Sequence, residues 1–358
     1  MTSERLSRVR EYLSQNNGNF EAAFVTKPEN RAYLSGFTGS YGFLLITATE
    51  AILFTDGRYT EQATAQAQGW NVIRIQRPYE ENVAVEIKRL GIERMGFEAE
   101  HLTFAEYKNW TDILPGINWI PTIGDISKLR RCKDPQEVAL IKRAVAIADD
   151  AFEHILGFIK PGITERDVAI ELEFTMRRLG AERNAFDTIV ASGWRSSLPH
   201  GRASEKAIQK GEFVTIDFGA HFQGYNSDIT RTVFVGEPDS RQREIYNLVL
   251  SAQLAGVEAV KPGAICKEVD GVSRRIFEKA GELDYFLHSL GHSLGREVHE
   301  APFLSMLDTT PLEPGMIVTV EPGLYYSNWG GVRIEDDLLV TATGADVLPR
   351  SPKELICL

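Results

Sequence analysis

The turn Lys160-Pro161-Gly162 recurs 101 residues later as Lys261-Pro262-Gly263, and each copy joins two segments with helical periodicity. The first pair is VALIKRAVAIADDAFEHILGFI and ERDVAIELEFTMRRLGA. The second is REIYNLVLSAQLAGVEAV and KEVDGVSRRIFEKAG. Behind each pair comes an apolar hairpin with two acids: FVTIDFGAHFQGYNSDITRTVFV at 213–235 and IVTVEPGLYYSNWGGVRIEDDLLV at 317–340. Asp217 and Glu321 are 104 residues apart, Asp228 and Glu335 are 107 apart. A recurring α-α-β-β unit reads as an internal duplication. It predicts two halves related by a pseudo-twofold axis, with a shared site between them.

The chain ahead of this unit has a different pattern. AAFVT, GFLLIT, AILFT, NVIRIQ and RMGFEAE read as strands; YTEQATAQAQ, NVAVEIKRL and FAEYKNWTDIL read as helices. MTSERLSRVREYLSQNNG reads as a polar amphipathic helix without the apolar core of a signal peptide. A polar, basic break around PTIGDISKLRRCKDP divides the chain into an α/β domain over 1–125 and an α+β domain over 126–358. Asp134, Pro135 and Glu137 form a helix-start signal just past the break, and Thr164 caps the next helix.

The net charge of −11 argues against nucleic acid or an acidic membrane surface as partner. Cys132, Cys266 and Cys357 are odd in number and widely spaced, which predicts no disulfide framework. No apolar run approaches the roughly 20 residues that span a bilayer. The expected setting is cytoplasmic.

Acids are depleted in strands, and like charges facing across a pair destabilise it. Yet a constant index sum sets Asp217 near-opposite Asp228, with its midpoint in the turn Phe222-Gln223-Gly224, and Glu321 opposite Glu335. Such acids could share a proton, pair with Arg231 or Arg333, or clamp a cation. Two acid hairpins in one duplicated domain favour the cation. So does HSLGHSLGREVHE between them, which carries three of the seven histidines, His288, His292 and His299. Four carboxylates balance two divalent ions. An oxygen-rich shell with one imidazole suits Mn²⁺ or Co²⁺ before Zn²⁺. Two such ions would lower the pKa of a shared water. A rival signal overlaps the cluster: Gly291-His292-Ser293-Leu294-Gly295 fits the G-x-S-x-G elbow of serine hydrolases, with Ser293 as nucleophile.

TIDFGAHFQGYNSDITRT, HSLGHSLGREVHE, TVEPGLYY and GGVRIEDDLLV together resemble the pita-bread metallopeptidases, a family of Xaa-Pro aminopeptidases, prolidases and methionine aminopeptidases. The resemblance implies a pita-bread catalytic domain behind a creatinase-like N-terminal domain. It implies a dinuclear site of Asp217, Asp228, His292, Glu321 and Glu335, with Asp228 and Glu335 bridging. It also implies His200 (in SSLPHG) and His299 as active-site histidines, Glu321 as proton shuttle, Arg333 as an orienting group, His288 and Tyr325 as substrate-side residues, and a homodimer. The N-terminal domain sets methionine aminopeptidases aside. The full ligand set sets aside creatinase and non-catalytic binding relatives. Phe186 and Tyr225 are candidates for receiving a proline ring. Prolidases often carry an arginine shortly after the HE of the histidine motif; Phe303 stands there, and no Arg or Lys lies between His299 and Glu321. That absence favours an Xaa-Pro aminopeptidase acting on peptides with proline second. The alternative is a prolidase cleaving Xaa-Pro dipeptides.

Overall fold

A computed structural model describes residues 2–15 and 19–358. Met1 and the end of the amphipathic segment, residues 16–18, lie outside the described residues. The chain divides into two compact units, Met1–Arg130 and Arg131–Leu358.

The first unit holds strands β1 (Ala22–Val25), β2 (Phe43–Thr47), β3 (Ala51–Asp56), β4 (Asn71–Ile75), β5 (Arg94–Glu98) and β6 (Asn118–Thr122) in one sheet of order β4-β3-β2-β1-β5-β6. Its helices are α1 (Thr2–Gln15), α2 (Pro28–Ser35), α3 (Thr60–Gln66), α4 (Tyr79–Arg89), α5 (Phe104–Ile113) and α6 (Asp125–Lys128). Alternate residues of β1 enter different cores, Ala23 and Val25 in one and Ala22 and Phe24 in the other. Both faces of the sheet are therefore covered, as a mixed α/β sheet requires. The sequence reading missed β6 because Pro121 interrupts it. Pro is tolerated there because β6 is an edge strand.

The second unit opens with α7 (Pro135–Leu156) and α8 (Glu165–Arg178), capped by Asp134 and Thr164 through complete capping boxes. Next come β7 (Arg183–Asn184), β8 (Ile189–Ser192), β9 (Glu212–Phe218), β10 (Ala220–Phe222), β11 (Tyr225–Asn226) and β12 (Ile229–Val235). The second half repeats the plan with α9 (Ser240–Ala259), α10 (Cys266–Ala280), β13 (Gly291–Ser293), β14 (Glu300–Leu304), β15 (Ile317–Val320), β16 (Gly323–Tyr326), β17 (Gly330–Arg333), β18 (Asp336–Val340) and β19 (Ala345–Val347). One core packs α7 and α8 on β9 and β12; the other packs α9 and α10 on β15, β17 and β18.

The duplication extends to individual hydrogen bonds. Gly162 N–H donates to Ile208 O at 2.9 Å, and Gly263 N–H to Leu312 O at 2.8 Å. Glu165 N–H donates to Lys206 O and Cys266 N–H to Thr310 O, both at 3.0 Å. Both KPG glycines are left-handed, at φ 94° and 80°, which lets each chain turn back onto its own half.

The second hairpin keeps the expected register. β15–β18 and β16–β17 share one index sum, and Glu321 and Glu335 fall opposite each other in the break between the two pairs. The first hairpin does not. Asp217 pairs with Thr230, so Asp228 sits diagonally to it, just before β12. The cause is the turn: Gln223 and Gly224 both have positive φ, 47° and 81°, as a two-residue type I′ turn demands. The midpoint moves into Gln223-Gly224, and Asp228 shifts by two residues. Because the shift is even, both acids still face the same side.

The hairpins lock together by contacts that step two residues along each chain. Asp228 N–H donates to Asp337 Oδ2, Glu335 N–H to Thr230 O, and Thr232 Oγ1–H to Arg333 O, at 3.0, 3.1 and 2.9 Å. Behind this seam Arg231 donates to Asp336 Oδ1 at 2.7 Å, and Lys353 to Asp336 Oδ2 at 2.6 Å. Burial pushes the Asp336 carboxyl up, but Arg231 and Lys353 hold it below the usual carboxylate range. Removing one partner of a buried pair leaves an uncompensated charge. Asp336→Ala is therefore expected to cost about 3–5 kcal/mol of unfolding free energy, measured as a lower urea midpoint.

Candidate active site

A cavity of about 600 Å³ opens where the two halves of the second unit meet. All five expected ligands line it: Asp217 from β9, Asp228 before β12, His292 from β13, and Glu321 and Glu335 from the break in the second hairpin. Ligand atoms of Asp228, His292 and Glu335 lie within 4.8 Å of one another. His292 Nε2 is 3.4 Å from Glu321 Oε1 and 3.7 Å from Asp228 Oδ2. His292 Nδ1 is 3.1 Å from the Ser293 carbonyl, so it carries the proton and leaves the Nε2 lone pair for the carboxylate side. Gly291 lets this strand approach: a Cβ there would stand 2.0 Å from Thr319 O.

Threonines hold the acids in place. Thr230 Oγ1–H donates to Glu335 Oε2 at 2.6 Å, and Thr319 Oγ1–H to Glu321 Oε1 at 3.3 Å. The sequence reading named neither; each lies two residues from a ligand or opposite one in a strand, which was the available signal. Arg333 donates to Asp217 Oδ2 at 2.6 Å and to Tyr325 Oη at 2.8 Å. Tyr325 Oη–H in turn donates to His288 Nε2 at 2.8 Å, and His288 Nδ1–H to Ser289 O at 2.8 Å. Burial lowers His288 to about 4, so it is the neutral acceptor this chain of bonds needs. His200, His288 and His299 line the cavity, and the His299 ring centre is 4.3 Å from that of His292.

Four expectations require correction. Tyr325 is not among the residues lining the cavity; its hydroxyl is taken up by Arg333 and His288. Tyr225 is buried with its hydroxyl on Glu137 Oε1 at 2.8 Å, whereas Phe186 does line the cavity. The serine elbow fails: Ser293 is fully buried, donates to Ile317 O at 2.8 Å, and is followed by a loop and β14 instead of a helix. Arg231 pairs with Asp336 instead of a ligand acid.

Residues 139–342 match metallopeptidase family M24, and residues 5–132 match the creatinase/prolidase N-terminal domain. The chain belongs to metallopeptidase family M24. This M24 chain is 47% identical to an Xaa-Pro dipeptidase from Bacillus anthracis over 100% of both chains, with a TM-score of 0.97. It is 41% identical over 355 residues to an Xaa-Pro dipeptidase of Pyrococcus furiosus, covering 99% of each. It is 35% identical to an X-Pro aminopeptidase from Thermotoga maritima MSB8, covering 99% of each chain at a TM-score of 0.91. As an M24 metallopeptidase it is a peptide hydrolase, and the family implies divalent metal ions.

The donor set of this M24 peptidase fits such ions. Burial, and then the repulsion of neighbouring acids, pushes Asp228 and Glu335 well above the usual carboxylate range. Burial pushes Glu321 up to about 8, and burial beside His299 lowers His292 to about 3. Asp217 Oδ1 is buried with no hydrogen-bond partner. Crowded acids, an orphaned carboxylate oxygen and a neutral imidazole are unfavourable together unless a cation compensates them. Among the described residues no helix is long and apolar enough to cross a membrane.

Proposed function

We propose that the protein is an Xaa-Pro dipeptidase that uses two divalent ions held by Asp217, Asp228, His292, Glu321 and Glu335. The observation that carries this is end-to-end similarity, at 47% and 41% identity, to two proteins named Xaa-Pro dipeptidase, against 35% to an aminopeptidase. When bound, such ions polarise a carbonyl and lower the pKa of water. Mn²⁺ comes first for this oxygen-rich shell, ahead of Co²⁺ and Zn²⁺. Glu321 lines the cavity and takes and returns the proton. His200 and His299 line the same cavity and donate to the carbonyl oxygen as charge develops there. Arg333 keeps Asp217 oriented, and His288 with Tyr325 fixes Arg333. Proline lacks the backbone N–H that ordinary peptidases grip, so a dedicated pocket is needed, and Phe186 supports one. A homodimer in the cytoplasm completes the reading.

An Xaa-Pro aminopeptidase is the second reading, favoured by Phe303, which lines both the main cavity and an open pocket beside it. Comparing an Xaa-Pro dipeptide with an Xaa-Pro-Xaa tripeptide on the Mn²⁺-loaded enzyme decides between them. The dipeptide is expected to be cleaved at least about tenfold more efficiently, a difference of about 1.4 kcal/mol in transition-state binding. Preference for the tripeptide reverses the assignment.

A further inference from the structure

We propose that Arg202 binds the C-terminal carboxylate of the substrate and thereby sets the choice of dipeptide over longer peptide. The inference rests on the dipeptidase reading and adds to it a residue that no local motif contains.

The register carries the argument. Arg202 makes an antiparallel bridge with Ile189, and Ile189 pairs antiparallel with Asp217. Residues opposed in antiparallel strands project to the same face. Arg202, Ile189 and Asp217 therefore form one row across the sheet, on the face that carries the ligand acids. All three line the cavity. At strand spacings of about 4.8 Å, the row separates the Arg202 and Asp217 backbones by about 9–10 Å. Two extended residues span at most about 7 Å. A dipeptide whose amine end lies at Asp217 therefore ends short of the Arg202 backbone, within reach of its long side chain. A third residue carries the chain to about 10 Å, level with or past it. Ile189, buried in the middle of the row, offers an apolar surface beneath the proline ring.

Charge points the same way. Two arginines line the cavity. Arg333 is buried and committed to Asp217, Tyr325, Thr230 and Pro199. Arg202 has an anchored backbone, since its carbonyl accepts from Arg195 at 2.7 Å, but its side chain is 79% exposed. That side chain meets Asp187 at 2.8 Å, itself 71% exposed at the cavity wall. An exposed pair of this kind is weak and readily rearranged. A guanidinium fork can take a substrate carboxylate in its place.

The test compares an Xaa-Pro dipeptide with the same compound as its C-terminal amide, on Mn²⁺-loaded wild type, Arg202→Ala and Arg202→Lys. Wild type is expected to prefer the free acid. Arg202→Ala is expected to raise KM for the acid by about 10- to 100-fold, the worth of a hydrogen bond to a charged group, with kcat nearly held, so that the acid-over-amide ratio collapses. Arg202→Lys keeps the charge without the fork and is expected to recover part of the ratio. If wild type prefers the acid and Arg202→Ala keeps that preference, or loses only kcat, the Arg202 assignment is overturned and the dipeptidase reading stands. If wild type takes amide or tripeptide as well as the dipeptide, the dipeptidase reading falls, and this assignment with it.

Discussion

Asp228→Asn is expected to remove metal-dependent hydrolysis, lowering kcat/KM by about 10³-fold or more, without unfolding the chain. The loss follows from the number of partners the carboxylate has. Asp228 shares a cluster with His292 and Glu335 and stands 3.7 Å from His292 Nε2, so one amide in its place weakens the whole donor set. Charge stabilisation by a bound ion is worth several kcal/mol, and each 1.36 kcal/mol is about tenfold in rate. The fold survives because the backbone N–H of Asp228 keeps its bond to Asp337 Oδ2. In the absence of metal the variant is expected to melt no lower than the wild type, since one member of a mutually repelling group has become neutral. The checks are steady-state kinetics, elemental analysis and melting with and without chelator. Full activity after exhaustive chelation, or a variant that retains both metal and rate, contradicts the proposed site.

The parts of this site that sequence could reveal are those encoded locally or by repetition. The KPG recurrence and the acid spacing are set by the duplication, and the matching Gly162 and Gly263 hydrogen bonds carry the same period. Glu321 and Glu335 follow from a simple index sum because the register is the same on both sides of the break between the two strand pairs. The Asp217–Asp228 register failed because Gln223 occupies the left-handed region, which its side chain does not advertise. β6 was hidden by Pro121 at an edge that tolerates it. Arg202 was invisible for another reason. Its place depends on a lone bridge to Ile189, thirteen residues away and outside any hairpin. The stretch after His299 belongs to only one half of the duplication. The cavity draws its exposed guanidinium from the first half, so the absence of Arg or Lys near Phe303 carries less weight for substrate length than the sequence alone suggested.

Between pH 6.5 and 8 the metal-free catalytic unit is expected to lose stability as pH rises, and Mn²⁺ to abolish that loss. Glu321 moves from 4.5 to about 8 in the folded protein, and Asp228 and Glu335 are also raised. A folded-state pKa above the unfolded one means that the native protein binds more protons. Stability is then fullest below the unfolded value and declines as pH rises through the folded one. His292 and His288 run the other way, lowered from 6.5 to about 3 and about 4, so their contribution grows up to pH 6.5 and is then complete. The two trends oppose each other from about pH 4.5 to 6.5. Above that the two histidines no longer add to the slope, and loss of the Glu321 proton from the folded state costs at most about 1.4 kcal/mol per pH unit while it titrates. Divalent ions hold the carboxylates ionised and release their protons on binding, so apparent affinity rises with pH. The metal-induced rise in melting temperature is therefore expected to be larger at pH 8 than at 6.5. A metal-free protein whose melting point stays level or climbs over that interval would mean that the buried acids are already compensated by the protein itself, and the physical case for cations at this site would fail with it.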